Sequence, residues 1–382
     1  MKKPLRGLLA VSLAGALLAA AAERLAGTCG PFMDVAADAF CPFVLEIFYL
    51  GITTGTTATT YDPAANVSRL QMAAFLSRTV DGALRRGGRR GPLDQHWTTK
   101  GSSNLGLTTV GAGPELVKSD GADLWVASDN DTVSRVRGSD GRLLETWTAA
   151  TNAFGVLPAM GKILVGGTTS PGRLYRIEPD KPAGAVTTVA TNLGDTPQGL
   201  AFDGARVWSA NKNSVSIVTP GATIPWSVTT VTAGFGEAFG ALYDGANVWI
   251  TDFAGAIRKL DAAGSVLQTV TVGFNAGVPA FDGANIWVGA GPDSVFVVRA
   301  STGALLATLT GNGLNSPFAA AFDGQRVLVT SYLGDSVSLW KAADLTVIGT
   351  FGTGGGTHPS GACSDGINFW IALGGSNQLA RF

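Results

Sequence analysis

From Ser119 to Leu373 short apolar runs alternate with polar turns, and one phrase recurs: a small or aromatic residue, Asp-Gly, then an apolar strand centred on Trp. The copies start at Asp120 (DGADLWVAS), Met160 (MGKILVGGT), Asp203 (DGARVWSAN), Asp244 (DGANVWITD), Asp282 (DGANIWVGA), Asp323 (DGQRVLVTS) and Asp365 (DGINFWIAL). Successive starts lie 40, 43, 41, 38, 41 and 42 residues apart. Each repeat predicts four strands, clearest in the third as GLAFDG, RVWSAN, SVSIVTP and SVTTVTAG. Val, Ile, Thr and Trp fill them, as a pleated surface buried on both faces favours. The Asp-Gly falls between the first two strands, where a two-residue turn needs the positive φ that Asp and Gly tolerate. Units of this length, each burying its faces only against its neighbours, predict a mainly all-β fold, a seven-bladed β-propeller. Eight blades are excluded by the count, and six would require discarding the degenerate second repeat.

Trp125, Trp208, Trp249, Trp287 and Trp370 share one position, with Val165 and Leu328 in the two remaining repeats. A ring wedged between adjacent blades accounts for them. The last repeat ends at Phe382 one strand short, and the segment Leu105–Val110 (LGLTTV) is expected to complete it. That pairing closes the propeller, 105–382, and removes edges that invite aggregation.

The pattern before residue 105 is different. Residues 1–22 read as a signal peptide: Lys2, Lys3 and Arg6, an apolar run from Leu8 to Ala19, then Ala20-Ala21-Ala22. The run is shorter than the roughly 20 residues that span a bilayer, so an exported chain without a membrane span is expected, at the cell surface or extracellular. Residues 82–104, dense in Gly and Arg, predict a flexible linker whose Arg85, Arg86, Arg89 and Arg90 form its charge cluster. Between them, 23–81 predicts a small α-helical module. Phe40, Phe43, Val44, Ile47, Phe48 and Leu50 fall at helical spacing before Gly51, and Ser68 with Gln71 makes a capping box for a second helix.

The order Phe32-x-Asp34-Val35, helix, Gly51-Ile52-Thr53-x-Gly55, Tyr61-x-Pro63, Val67-Ser68-Arg69-x-x-Met72-Ala73-x-Phe75-Leu76 resembles one S-layer homology (SLH) repeat over about 50 residues. In that family such repeats, commonly three together, dock exported proteins onto cell-wall polysaccharide. The resemblance implies glycan contact at Gly55 and Arg69. It departs from the family in its single copy and in Leu70-Gln71, where an apolar-acidic pair is usual. In an oxidising compartment Cys29 and Cys41 pair naturally as a disulfide worth about 3 kcal/mol, the alternative being two free thiols. Cys363 falls where other repeats carry Ala201, Ala280 and Ala321, which suits a small buried residue. The later repeats resemble secreted propellers of the YVTN/NHL type, which implies a fold and no single activity.

Removing Lys2, Lys3 and Arg6 leaves 24 basic against 28 acidic residues, a balance that argues against a nucleic-acid partner. No His-x-x-His, Cys-x-x-Cys, G-x-S-x-G or phosphate-cradling motif is present. No catalytic residue, cofactor or metal is therefore expected. The face opposite the Asp-Gly turns holds Asn211, Glu237, Asp252, Asn315, Tyr332 and His358, with Asp129, Asp131 and Asp335, as a polar ring at the channel mouth. Asp129-x-Asp131 suits a cation site or, preferably, loop capping. This composition favours an exported, envelope-associated binding or display protein, its module tethering it and its propeller recognising a protein or glycan. The alternative is a propeller enzyme or small-molecule sensor. A seven-bladed lyase of streptogramin antibiotics is the nearest such comparison, and Glu237 and His358 are the residues able to play its Glu and His parts. A third possibility is a subunit of a surface lattice.

Overall fold

The computed structural model describes residues 29–36, 40–49, 52–86, 103 and 105–382. The expected signal segment and most of the expected linker lie outside the described residues. The chain divides into two compact units, Met1–Trp97 and Thr98–Phe382.

In the first unit, helix α1 (Cys41–Tyr49) and helix α2 (Arg69–Arg86) flank a Thr-rich loop. Ser68 Oγ accepts the Gln71 N–H at 3.2 Å and Gln71 Oε1 accepts the Ser68 N–H at 2.8 Å, the reciprocal bonds of a capping box. Helix α2 runs on through Gly82 to Arg86, so the first five residues expected in the linker are helical instead. Phe32 is the buried centre of this unit, with Phe48 at 5.0 Å and Tyr61 at 5.4 Å between ring centroids. A disulfide joins Cys29 to Cys41, whose Cα atoms lie 5.5 Å apart. Backbone N–H groups of Tyr61 and then Asp62 bond the Asp34 carboxylate and hold its pKa below the usual range. Among the described residues no helix is long and apolar enough to cross a membrane.

The second unit is a seven-bladed β-propeller of seven four-stranded antiparallel sheets. The innermost strands of blades one to seven are β2 (Pro114–Ser119), β6 (Ala153–Ala159), β10 (Pro197–Phe202), β14 (Ala238–Tyr243), β18 (Ala280–Phe281), β22 (Pro317–Phe322) and β26 (Pro359–Ser364). In blade seven, β27 (Phe369–Leu373) and β28 (Gln378–Arg381) follow β26, and β1 (Gly106–Thr109) supplies the outer strand. The first and last strands pair from Gly106↔Arg381 to Thr109↔Gln378, so the two chain ends of the ring share one sheet.

Each Asp-Gly turn does more than reverse the chain. In six blades the Asp N–H bonds the carbonyl three residues on, so the two central turn residues are Gly and the residue after it. Positive φ falls on Gly121, Gly204, Gly245, Gly283, Gly324 and Gly366 and on none of the Asp residues. This corrects the expectation that Asp occupies the turn itself. Blade two alone turns on two left-handed residues, Met160 (φ 56°) and Gly161 (φ 67°).

The Asp is left free to bond sideways. Its Oδ1 accepts the N–H groups two and three residues on. In five blades its Oδ2 accepts the indole N–H of the Trp five residues on, at 2.7–2.8 Å. Those five Trp side chains are wholly buried, so the carboxylate satisfies a donor that would otherwise be orphaned in the core. In blade six Leu328 replaces the Trp, and Asp323 Oδ2 instead takes Arg326 Nε at 2.7 Å. Burial opposes ionisation of Asp120 and Asp203, but the donors around them outweigh it and both carboxyls sit below the usual range.

Candidate functional site

The opposite end of each inner strand obeys a second rule. In six blades the pairing of first and second strands slips, leaving one extra residue on the inner strand, between Pro114 and Val117, Ala153 and Gly155, Pro197 and Leu200, Ala238 and Ala241, Pro317 and Ala320, and Pro359 and Ala362. A bulge re-aims the side chain it carries. The residues at these bulges are Glu115, Phe154, Gln198, Phe239, Phe318 and Ser360.

Their rings meet across the central channel. Phe239 of blade four lies 5.7 Å from Phe154 of blade two and 5.4 Å from Phe318 of blade six, both edge-on. Contact between blades that are not neighbours is possible only over the axis. Phe253, which follows β15 (Val248–Asp252), stacks on Phe239 at 4.1 Å. Phe318 continues to Tyr332 at 6.1 Å, and Tyr332 stacks on His358 at 5.0 Å with 22° between planes. An aromatic floor therefore stops the channel at this end, and the Tyr332–His358 pair forms one wall. Tyr332 is 38% exposed, and its neighbour Leu333 is 61% exposed. His358 Nδ1 lies 3.3 Å from the Tyr332 carbonyl, which can only accept, so in the neutral ring this bond places the proton on Nδ1 and leaves Nε2 as acceptor.

Glu115 stands apart from its sister positions. Burial, reinforced by the negative charge of Asp129, pushes its carboxyl up to about 7. No Lys, Arg or His of the described residues forms an ion pair with it. Ser360 Oγ bonds the Glu115 carbonyl at 3.0 Å, tying blade seven to blade one beneath it.

The expected polar ring is only partly realised. Asn211 is wholly buried and holds a hydroxyl network, accepting from Ser209 Oγ at 2.8 Å and donating to Ser216 Oγ at 3.0 Å. Asp252 is also wholly buried; it accepts the N–H groups of Gly236, Glu237 and Ala254 and pairs with Arg258 at 2.5 Å. Neither is presented to a ligand, which corrects both expectations. Asp131 accepts the Asn152 N–H at 2.7 Å and Asp335 accepts the His358 N–H at 2.8 Å, each clamping its blade to the next. Burial works against the Asp335 charge, and the N–H groups of His358 and Gly356 prevail, so its pKa is lowered.

Glu237 and Asn315 are exposed, and Tyr332 and His358 are brought together. Glu237 and His358 hold the same repeat position, immediately before the inner strand. At the matching repeat position Gly113, Asn152, Thr196, Asn275, Ser316 and His358 adopt positive φ and Glu237 does not, so His358 serves a backbone role shared by six blades. Among the described residues no hydrogen bond or ion pair joins Glu237 to His358. Among the described residues no group of three or more His, Cys, Asp or Glu is placed to hold a metal ion.

In the N-terminal unit Arg69 opens α2 and is exposed. Gly55 adopts φ +75°, and a Cβ there would lie 2.6 Å from both the Phe32 ring and the Thr60 carbonyl, so the loop's own packing demands glycine.

No family model and no curated protein matches the chain. Solved structures do. A streptogramin B lyase shares 14% identity, covers 74% of this chain and 99% of its own, and superposes with a TM-score of 0.59. The WD40 propeller domain of Doa1 gives 13%, 75%, 97% and 0.59, and hydrazine synthase of Kuenenia stuttgartiensis 14%, 74%, 97% and 0.61. At these identities the likeness establishes the propeller fold and nothing about activity.

Proposed function

We propose that the chain is an exported, cell-envelope-associated binding protein whose SLH-like segment tethers it to wall polysaccharide and whose propeller presents its channel mouth to a protein or glycan. One observation carries the second half of this reading. Phe154, Phe239 and Phe318, from three non-adjacent blades, converge on a floor beside the half-exposed Tyr332–His358 pair. Repetition elsewhere in the ring serves packing, whereas the side chains at the bulge position differ from blade to blade. Phe154 and Phe318 are half-buried against the buried Phe239, at the end of the ring whose surface loops suit a ligand site. The tether reading rests on the order of motifs around Arg69 and Gly55, and the acidic balance of the chain disfavours nucleic acid.

The test is co-sedimentation of the full chain with purified wall sacculi, comparing wild type, Arg69→Ala and the double variant Tyr332→Ala/Leu333→Ala. Loss of pelleting in Arg69→Ala alone supports the tether and directs the search for the mouth's partner to other surface molecules. Loss in the mouth variant alone makes the wall itself the propeller's ligand. Retention of wild type in the supernatant sinks the envelope reading.

A further inference from the structure

The bulge set holds one acid among otherwise aromatic and neutral side chains. Glu115 occupies in blade one the bulge position that Phe154 holds in the neighbouring blade and that Phe239 and Phe318 hold across the axis. A half-buried carboxylate without a cationic partner is costly, and Asp129, whose charge acts on it, is of the same sign. Aromatic faces at the same bulge position, Phe154 in the neighbouring blade and Phe318 further round the ring, carry negative π density, which attracts cations and repels anions. Such an arrangement is poor for packing and good for receiving a positive group that arrives with its own apolar surface.

We infer that the channel mouth is the seat for a primary ammonium group carried on an apolar body, with Glu115 pairing the ammonium and the half-buried Phe154 and Phe318 covering the body. This rests on the reading of the mouth as the binding surface and adds the chemistry of what binds there. An ammonium can satisfy the carboxylate and the aromatic faces together, which an apolar or anionic ligand cannot. The raised carboxyl supports the same assignment. Near pH 7 Glu115 is partly protonated, and an arriving cation favours the ionised form, so binding expels a fraction of a proton into the buffer.

The test uses the full chain and three probes on one phenyl scaffold, 2-phenylethylamine, 2-phenylethanol and phenylacetate, titrated calorimetrically at pH 7 in two buffers of different ionisation enthalpy. The amine is expected to bind about 10-fold more tightly than the alcohol, with phenylacetate weakest and proton release seen for the amine alone. Glu115→Gln, which keeps the shape and melts no lower than wild type, is expected to erase both the order and the proton release. Phe318→Leu is expected to weaken amine and alcohol alike. Equal binding of amine and alcohol by wild type overturns the inference, as does an order that survives in Glu115→Gln. Absence of binding by all three probes at millimolar concentration also overturns it. Partner capture that depends on Tyr332 and Leu333 would stand regardless, so failure here is distinguishable from failure of the platform reading.

Discussion

The two ends of each inner strand follow opposite logics. At the Asp-Gly end, five blades place the same carboxylate on the same buried indole N–H at 2.7–2.8 Å. At the bulge end, six blades share one backbone irregularity but present Glu, Phe, Gln, Phe, Phe and Ser. Chemistry that repeats answers a problem every blade has, namely an orphan donor in a packed core. Backbone that repeats with varied side chains leaves room for a demand particular to one part of the ring, such as the proposed ammonium seat. The comparison teaches where to look for function in a repeat protein: at positions where geometry is periodic and composition is not.

The sharpest way to break this contrast is to damage one end and read the other. Trp208→Ala empties a fully buried site and is expected to cost about 3–5 kcal/mol in chemical denaturation while leaving amine binding by the folded fraction unchanged. Loss of binding at equal folding would mean the two ends are coupled.

Glu115→Gln should act in the other direction. Its carboxyl is raised from 4.5 to about 7 in the fold, so between these values the unfolded chain ionises first and wild-type stability falls as pH rises. The Gln variant lacks that slope. It should be more stable than wild type by about 3 kcal/mol above pH 7 and nearly equal to it below pH 4.5, to order of magnitude, in melts across that range.

Asp203→Ala leaves the Trp208 indole N–H without its acceptor and is expected to cost about 1–3 kcal/mol. Here the sign of the pH effect reverses. The folded pKa of Asp203 is below its unfolded value, so its contribution is present at neutral pH and lost as pH falls through the carboxylate range. The difference in melting between wild type and variant should therefore shrink in acid. A constant difference would assign the loss to packing instead.

The smallest expected effect belongs to blade two, where Met160 sits at φ 56° in a two-residue turn. Met160→Asn suits that left-handed turn and should raise stability by about 1 kcal/mol or less. An unchanged melting temperature would show that the degenerate blade is not strained.

Much of this was legible along the chain. A spacing of 38 to 43 residues between Asp-Gly phrases specifies blades, because a unit that short cannot bury its strands alone. The capping box at Ser68 and Gln71 was legible for the same local reason, its partners being three residues apart. Even the bulge set carried a signal that periodicity alone did not weigh. Glu115, Gln198, Phe239, Phe318 and Ser360 each stand five residues before the Asp of their turn, and Phe154 six before Met160.

Tertiary structure decided which polar residues are free. Asn211 and Asp252 read as exposed loop residues, yet a hydroxyl network and Arg258 with three N–H donors claim them. It also decided that Phe154, Phe239 and Phe318 meet, although 79 to 85 residues separate successive members. Strand pattern and turn chemistry are set by neighbours in sequence, so the sequence determined the blades. Burial of a carboxylate and convergence over an axis depend on how seven blades close, which no local pattern encodes.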